Sequence, residues 1–349
     1  MAAEISRDHI ADGVESLYQP GRSGISQCRV LRPAGRAVLK DGSSLTVLPE
    51  SSPSSPRVVE YNPNGFKKPQ TVILGVNGYM MPQTAMMTTE VLGGHCRGVM
   101  RVNDVAYLGY AHAQRGKETV LEHNGDHTLS TILDQVSREV GEALSHYPDA
   151  DLILDGHSQG GQIVAHILKD PERFGLTRDR IRGAILRHSI PIPDSTRTWL
   201  SPNTTPTAIR NIRKVVGAAI TKKGFLCRGK EANRLFFDNQ ADLQDPRVQR
   251  LLEGTHPAEA AWFLQTLLHP KGTSPSFKKG ELQGRNIVVM AGSQDHLFPE
   301  RLQKGTARYL ENIAGARVSY SSTHGGHFSS ILGGSAANEA NAVALSRFF

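Results

Sequence analysis

Residues 151–168, "DLILDGHSQGGQIVAHIL", constrain this chain more than any other stretch. A short apolar run enters Gly156-His157-Ser158-Gln159-Gly160, and an apolar helical pattern follows at once. A strand that turns into a helix over so few residues has no room for side chains at the glycines, and it presents the Ser158 hydroxyl at the carboxyl edge of the strand. The helix start behind the serine favours developing negative charge. The bland alternative is a glycine-rich structural turn, but a G-x-S-x-G pattern at this junction is the context a nucleophilic serine requires. A strand feeding directly into a helix also commits this region to strand–helix units and a parallel sheet.

Six short apolar runs repeat the strand half of that unit: "TVILGVNGY" (71–79), "DVAYLGY" (104–110), "DLILDG" (151–156), "RGAILRH" (182–188), "NIVVMAG" (286–292) and "ARVSYSS" (316–322). Continuous apolarity of this length suits strands buried on both faces. Between them, residues 127–147 carry Leu129, Ile132, Leu133, Val136, Val140 and Leu144 at a period of about 3.6, with Asp126 or Thr128 as the helix cap. Residues 335–349 are expected to form the last helix, capped by Ser335. Upstream, residues 28–48 alternate apolar and polar positions around "PAG" and "DGSS", as antiparallel strands do, before "ESSPSSP" makes a surface loop. The expected fold class is α/β: a mostly parallel central sheet flanked by helices, with antiparallel strands on its N-terminal side.

Residues 191–280 break the alternation with Pro-rich entry segments and helical stretches. The expected organisation is a core of residues 1–190 and 281–349, with 1–27 as an N-terminal extension and 191–280 as a helical cap insertion. Within the insertion, Ile209, Ile212, Val216 and Ile220 share one side of a helical pattern whose other positions carry Arg210, Arg213, Lys214, Lys222 and Lys223. That pattern fits a lid helix packed on the core, or a peripheral contact with an anionic membrane surface.

Composition excludes several classes. With 38% hydrophobic and 21% charged residues over 349 positions, the chain is globular rather than disordered. The net charge of +7 is spread along the chain without a helix-turn-helix, zinc-finger or RNP-like pattern, so no nucleic-acid partner is expected. Cys28, Cys96 and Cys227 are far apart and odd in number, which suits a reducing compartment. The N-terminal residues lack the apolar core of a secretory signal, and no run reaches the ~18 apolar residues of a spanning helix, so a cytoplasmic location is expected, with secretion by a route without a cleaved signal as the alternative. Neither G-x-G-x-x-G after the first strand nor G-x-x-x-x-G-K-[ST] occurs, and no cofactor is expected.

With "GHSQGG" at a strand–helix junction, the sequence resembles the α/β-hydrolase superfamily from about residue 28 to the C-terminus, the insertion lying where that family carries its cap. The resemblance implies a serine esterase or lipase with Ser158 as nucleophile and an orienting acid after a late strand. Asp295, following "NIVVMAGSQ" and preceding a proline-containing turn, is similar to that acid; Asp194 is the fallback. The family takes one oxyanion donor from the residue after the nucleophile, here Gln159, and one from the loop after an earlier strand. In "VILGVNGYMMP" that loop has Asn77 where many members have histidine, and Tyr79, after Gly78, is the expected second donor.

"SSTHGGHFSS" offers two histidines for the base. His327 follows Gly325-Gly326, which can bend the chain inward, and "GGHF" resembles the family's catalytic position; His324 is then a rim residue. The order Ser158, Asp295, His327 agrees with this fold. No metal site is expected from the histidine pair, which lacks further ligands nearby. Four of the seven methionines fall within "YMMPQTAMM". Met80, Met81 and Met86, with His157, are candidate substrate contacts, the alternative for the methionines being packing under the lid. The expected chemistry is cleavage of a small-molecule ester or thioester with an apolar acyl group. An acyltransferase using the same triad and a non-catalytic receptor are the rivals.

Overall fold

All six apolar runs are strands of one sheet. The computed structural model describes residues 18–19, 30–31, 36–39, 41–48, 58–78, 81, 85–110, 128–192, 236, 244, 248, 273–295 and 297–349. In chain order the elements are β1 (Tyr18–Gln19), β2 (Val30–Leu31), β3 (Arg36–Val38), β4 (Ser44–Val47), β5 (Val59–Asn62), β6 (Thr71–Val76), α1 (Thr89–Leu92), α2 (Gly94–Val102), β7 (Val105–Tyr110), α3 (Leu129–Ser145), β8 (Asp151–His157), α4 (Gln159–Lys169), β9 (Ile181–Arg187), β10 (Asn286–Gly292), α5 (Glu300–Asn312), β11 (Arg317–Thr323), α6 (Ser329–Leu332) and α7 (Gly334–Ser346).

Among the described residues the main sheet has nine strands, ordered β11-β10-β9-β8-β6-β7-β5-β4-β3. From β7 to β11 every neighbouring pair is parallel, whereas β3, β4 and β5 add antiparallel to the β7 side. The chain runs β6 to β7 in one direction, then steps back across β6 to β8 and continues the other way. That reversal opens a crevice beyond the carboxyl ends of β6 and β8, where open α/β sheets hold their ligands.

Period-two alternation divides each parallel strand between two cores. Val72, Leu74, Leu152, Leu154, Ala184, Leu186, Ile287 and Val289 join α3, α4 and α5 on one face. Ile73, Ile153, Ile185, Val288 and Met290 join Met100 of α2 and Ala344 and Leu345 of α7 on the other. Each large aliphatic side chain so buried contributes about 1.5–3 kcal/mol, which is why both faces are apolar and the runs read as continuous.

β11 departs from the expectation of two buried faces. It is the edge strand, paired only with β10 in the described sheet, and only Thr323 at its end is buried. α3 has the expected apolar face, and Thr128 is its cap, its side chain accepting from the Thr131 N–H at 3.4 Å. The last helix begins at Gly334 with Gly333, not Ser335, in the capping position. A side chain at Gly333 would lie 2.2 Å from the Ser329 carbonyl of the preceding helix. The Gly334 N–H is met instead by Oε1 of Glu90, from α1. Residues 1–17 lie outside the described residues, as do most of 191–280, including the candidate lid helix; Phe236 and Val248 belong to the same core as Met100. Residues 273–285 pack on α4, where Gln162 donates to the Thr273 carbonyl at 2.9 Å and Lys169 pairs with Glu281 at 2.7 Å. Among the described residues no helix is long and apolar enough to cross a membrane.

Candidate active site

Ser158 joins β8 to α4 with φ 55° and ψ −120°. A left-handed φ is uncommon for a residue with a side chain, and its persistence means the surroundings over-determine it. The Ser158 N–H donates to the Arg187 carbonyl at 2.9 Å, and its own carbonyl accepts from Gly161 at 3.1 Å and Ile190 at 3.0 Å. Two close approaches explain Gly160, after the serine, and Gly78, after β6. A Cβ at Gly160 would stand 2.0 Å from the Val76 carbonyl, and one at Gly78 would stand 2.8 Å from the Ser158 Cβ. The loop leaving β6 therefore passes directly over the serine.

Asp295 lies three residues beyond β10, and His327 four beyond β11, so two neighbouring strands deliver both to the same edge as Ser158. His327 Nδ1 and Asp295 Oδ2 are 2.8 Å apart. The other carboxylate oxygen, Oδ1, accepts the N–H groups of Leu297 and Phe298, each at 2.9 Å. Burial opposes ionisation of Asp295, but the positive charge of a protonated His327 and the hydrogen bonds from His188 and His327 outweigh it and hold the carboxyl well below the usual range. The His327 backbone is fixed at both ends: its N–H donates to the Phe236 carbonyl at 2.8 Å, and its carbonyl lies 3.0 Å from His157 Nε2. With Nδ1 committed to Asp295, the remaining ring nitrogen Nε2 is buried without a hydrogen-bond partner among the described residues. The rings of Phe236, Phe298 and Phe328 surround it, with centroids 5.9, 5.3 and 5.6 Å from that of His327.

No protein-family model matches the sequence, and no curated protein does. Solved structures do match. A thermophilic esterase from Thermogutta terrifontis aligns at 15% identity with a TM-score of 0.55, covering 90% of this chain and 99% of that one. A serine hydrolase from Cycloclasticus zankles aligns at 14% identity and TM-score 0.51, covering 88% and 99%. A bromoperoxidase from Bacillus anthracis aligns at 14% and 0.50, covering 83% and 95%. The chain has the α/β-hydrolase fold. Identities this low carry the fold and not the reaction, as the bromoperoxidase among the neighbours illustrates.

On this α/β-hydrolase sheet, Ser158, Asp295 and His327 all stand at one edge, while His324 is exposed to solvent. Gln159 opens α4, so its N–H is among the first four that a helix leaves without an internal partner. Tyr79, Met80 and Asp194 lie outside the described residues. Met81 and Met86 are 2% and 0% exposed and pack in the core cluster that includes Phe236, Val248 and Phe328. His157, a candidate substrate contact, packs against His327 and Phe328, which follow β11. It is fully buried, stacked on Phe328 at 16° and 5.1 Å, with Nε2 against the His327 carbonyl. Burial, and then the neighbouring His327 and His188, push it well below the usual histidine range, so it works as a neutral ring.

His188, at the end of β9, was missed in the sequence. It has φ 44°, is fully buried, and brings Nδ1 to 3.2 Å from the same Asp295 Oδ2. The available signal was its location, a polar residue ending the parallel strand beside the one that carries Ser158. His188, Asp295 and His327 are close enough together to suggest a metal ligand set. The ligand atoms, however, are engaged with one another as hydrogen-bond partners at 2.8 and 3.2 Å, and a carboxylate shared by two imidazoles accounts for the cluster without an ion.

Proposed function

We propose that this protein is a serine hydrolase that cleaves carboxylic esters or thioesters of apolar acyl groups. The observation that carries the proposal is a serine held in a left-handed conformation at the strand–helix turn, on the same sheet edge as a buried Asp295–His327 pair whose outer ring nitrogen has no hydrogen-bond partner among the described residues. In this mechanism Ser158 Oγ attacks the acyl carbon while His327 Nε2 takes its proton. The ionised Asp295 holds the ring and stabilises the imidazolium. The Gln159 N–H and a donor from the loop after β6, expected at Tyr79, receive the oxyanion. His327 then returns the proton to the leaving alcohol or thiol. Water, deprotonated by the same nitrogen, attacks the acyl-enzyme and releases the acid, restoring Ser158.

The preference for an apolar acyl group is supported by the setting of His327, which three phenylalanine rings surround, two of them, Phe236 and Phe328, belonging to the core cluster that also holds Met81, Met86 and Met87. The esterase and serine hydrolase among the structural neighbours favour the same class of reaction.

A fluorophosphonate probe tests the proposal. Labelling at Ser158 in the wild type and its loss in Ser158→Ala is the expected result; folded wild-type protein that stays unlabelled overturns it. An ester and thioester panel of graded acyl length, with product analysis in the presence of added alcohols and thiols, then separates hydrolysis from acyl transfer.

A further inference from the structure

We propose that His188 is a second positioning histidine, donating from Nδ1 to the carboxylate of Asp295 so that this group is held and its charge shared before His327 uses it. The inference rests on the triad described above and deepens it.

Asp295 has four acceptor positions on its two oxygens, and all are used. Oδ1 takes the Leu297 and Phe298 N–H groups; Oδ2 takes His327 Nδ1 at 2.8 Å and His188 Nδ1 at 3.2 Å. A carboxylate with donors on every side cannot rotate away from the base. Because an ionised carboxylate only accepts, His188 must carry its proton on Nδ1, which leaves Nε2 bare; that atom is buried with no partner among the described residues.

Backbone contacts fix the position of His188. His188 takes φ 44°, its N–H donates to the Met290 carbonyl at 2.8 Å, and its Cε1 would lie 3.0 Å from a Cβ at Gly292, the last residue of β10. The same Cβ would lie closer still to the Gly326 and Gly325 carbonyls, at 2.5 and 2.6 Å, so it is the left-handed backbone of His188 that accompanies the turn of the ring toward Asp295. The titratable groups around it are Asp295 after β10, His327 after β11, Arg187 on β9 and His157 on β8, whose ring centroid is 5.8 Å away. Burial keeps His188 neutral, so it shares the carboxylate charge without cancelling it.

The consequence follows from charge. A carboxylate that gives part of its electron density to a second donor stabilises the His327 imidazolium less. Removing His188 concentrates that charge on His327 and makes protonation of the base easier, which shifts the acid limb of activity upward. His188→Leu removes the donor. His188→Asn keeps an N–H group near the Nδ1 position and tolerates a positive φ. Expected in His188→Leu are an acid-limb midpoint raised by about half a unit to one unit and a kcat roughly tenfold lower with KM unchanged. His188→Asn restores both. The readouts are the pH dependence of fluorophosphonate labelling and of ester turnover, together with nitrogen NMR of histidine-labelled wild-type protein, in which His188 shows the neutral Nδ1–H tautomer.

An acid limb unmoved in His188→Leu, or a His188→Asn variant as impaired as His188→Leu, overturns the proposal while leaving the triad intact. An Nε2–H tautomer at His188 overturns it whether or not the protein has activity. Wild-type protein that does not label at Ser158 overturns the triad instead, and the tautomer measurement still decides whether His188 donates to Asp295.

Discussion

Directly behind the site lies a buried ion pair whose disruption is a severe test of how this sheet is held. Arg187, the last residue of β9, and Asp155 of β8 have side chains 3% and 1% exposed. They pair through two bonds, Nε to Oδ1 at 2.6 Å and Nη2 to Oδ2 at 2.9 Å, and Nη1 reaches Asn341 of α7 and the Met290 sulfur. Burial works against the guanidinium charge, and Asp155 more than compensates. In Arg187→Met the Asp155 charge stays buried with Tyr107 O–H, at 3.4 Å, as its side-chain donor. Removing one partner of such a pair costs about 3–5 kcal/mol, a large part of the roughly 5–15 kcal/mol that stabilises a native domain. The double variant Arg187→Met/Asp155→Leu removes both charges, so it should lose much less than the sum of the single losses. Urea denaturation of the four proteins at neutral pH, read as midpoints with a common slope, gives the cycle. Single variants that each lose less than about 1 kcal/mol, or strictly additive losses, would refute the reasoning. Because the Ser158 N–H is bonded to the Arg187 carbonyl and His188 comes next, the single variant should also slow Ser158 labelling at temperatures where it remains folded.

Other perturbations address the site itself. Gly78→Ala sets a Cβ 2.8 Å from the Ser158 Cβ and 3.0 Å from the His157 carbonyl, so labelling should fall about 100-fold while unfolding stays cooperative; an unchanged rate would mean the β6 loop does not constrain the serine. His327→Ala should cut turnover by about 10⁴-fold or more, whereas the exposed His324→Ala should leave most of it; comparable losses would refute the assignment of the base. Burial lowers the folded-state values of His157, His188 and His166 below the reference of 6.5. The unfolded chain therefore binds more protons below that pH, and the stability these neutral rings contribute is present above about pH 6.5 and lost on acidification. Urea midpoints should fall from about pH 7 to pH 5; a flat profile would show that the three rings do not stay neutral in the native state.

Much of the architecture was legible because burial on two faces leaves a local mark. The strands β6 to β10 are short apolar runs, and the α3 stripe has a helical period that its observed contacts match. β5 escaped notice: four residues, "VEYN", following a Ser- and Pro-rich segment carry too little pattern to stand out. The turn at Ser158 was legible for a different reason, since the glycines there are demanded by backbone approaches close enough to exclude any side chain.

The sequence by itself determined the succession of strands β6 to β11, the strained serine turn, and the candidate acid and base at the ends of late strands, because each depends on periodicity or on backbone space within a few residues. Tertiary structure alone decided how polar groups distant along the chain were paired. It left β11 at an edge with a half-exposed face, gave the last helix its cap from Glu90 rather than from Ser335, and turned His157 inward to support the His327 carbonyl. It also brought His188 to Asp295 across 107 positions of sequence. A buried polar atom must find a partner wherever the fold supplies one, and no local pattern in the chain records which partner that will be.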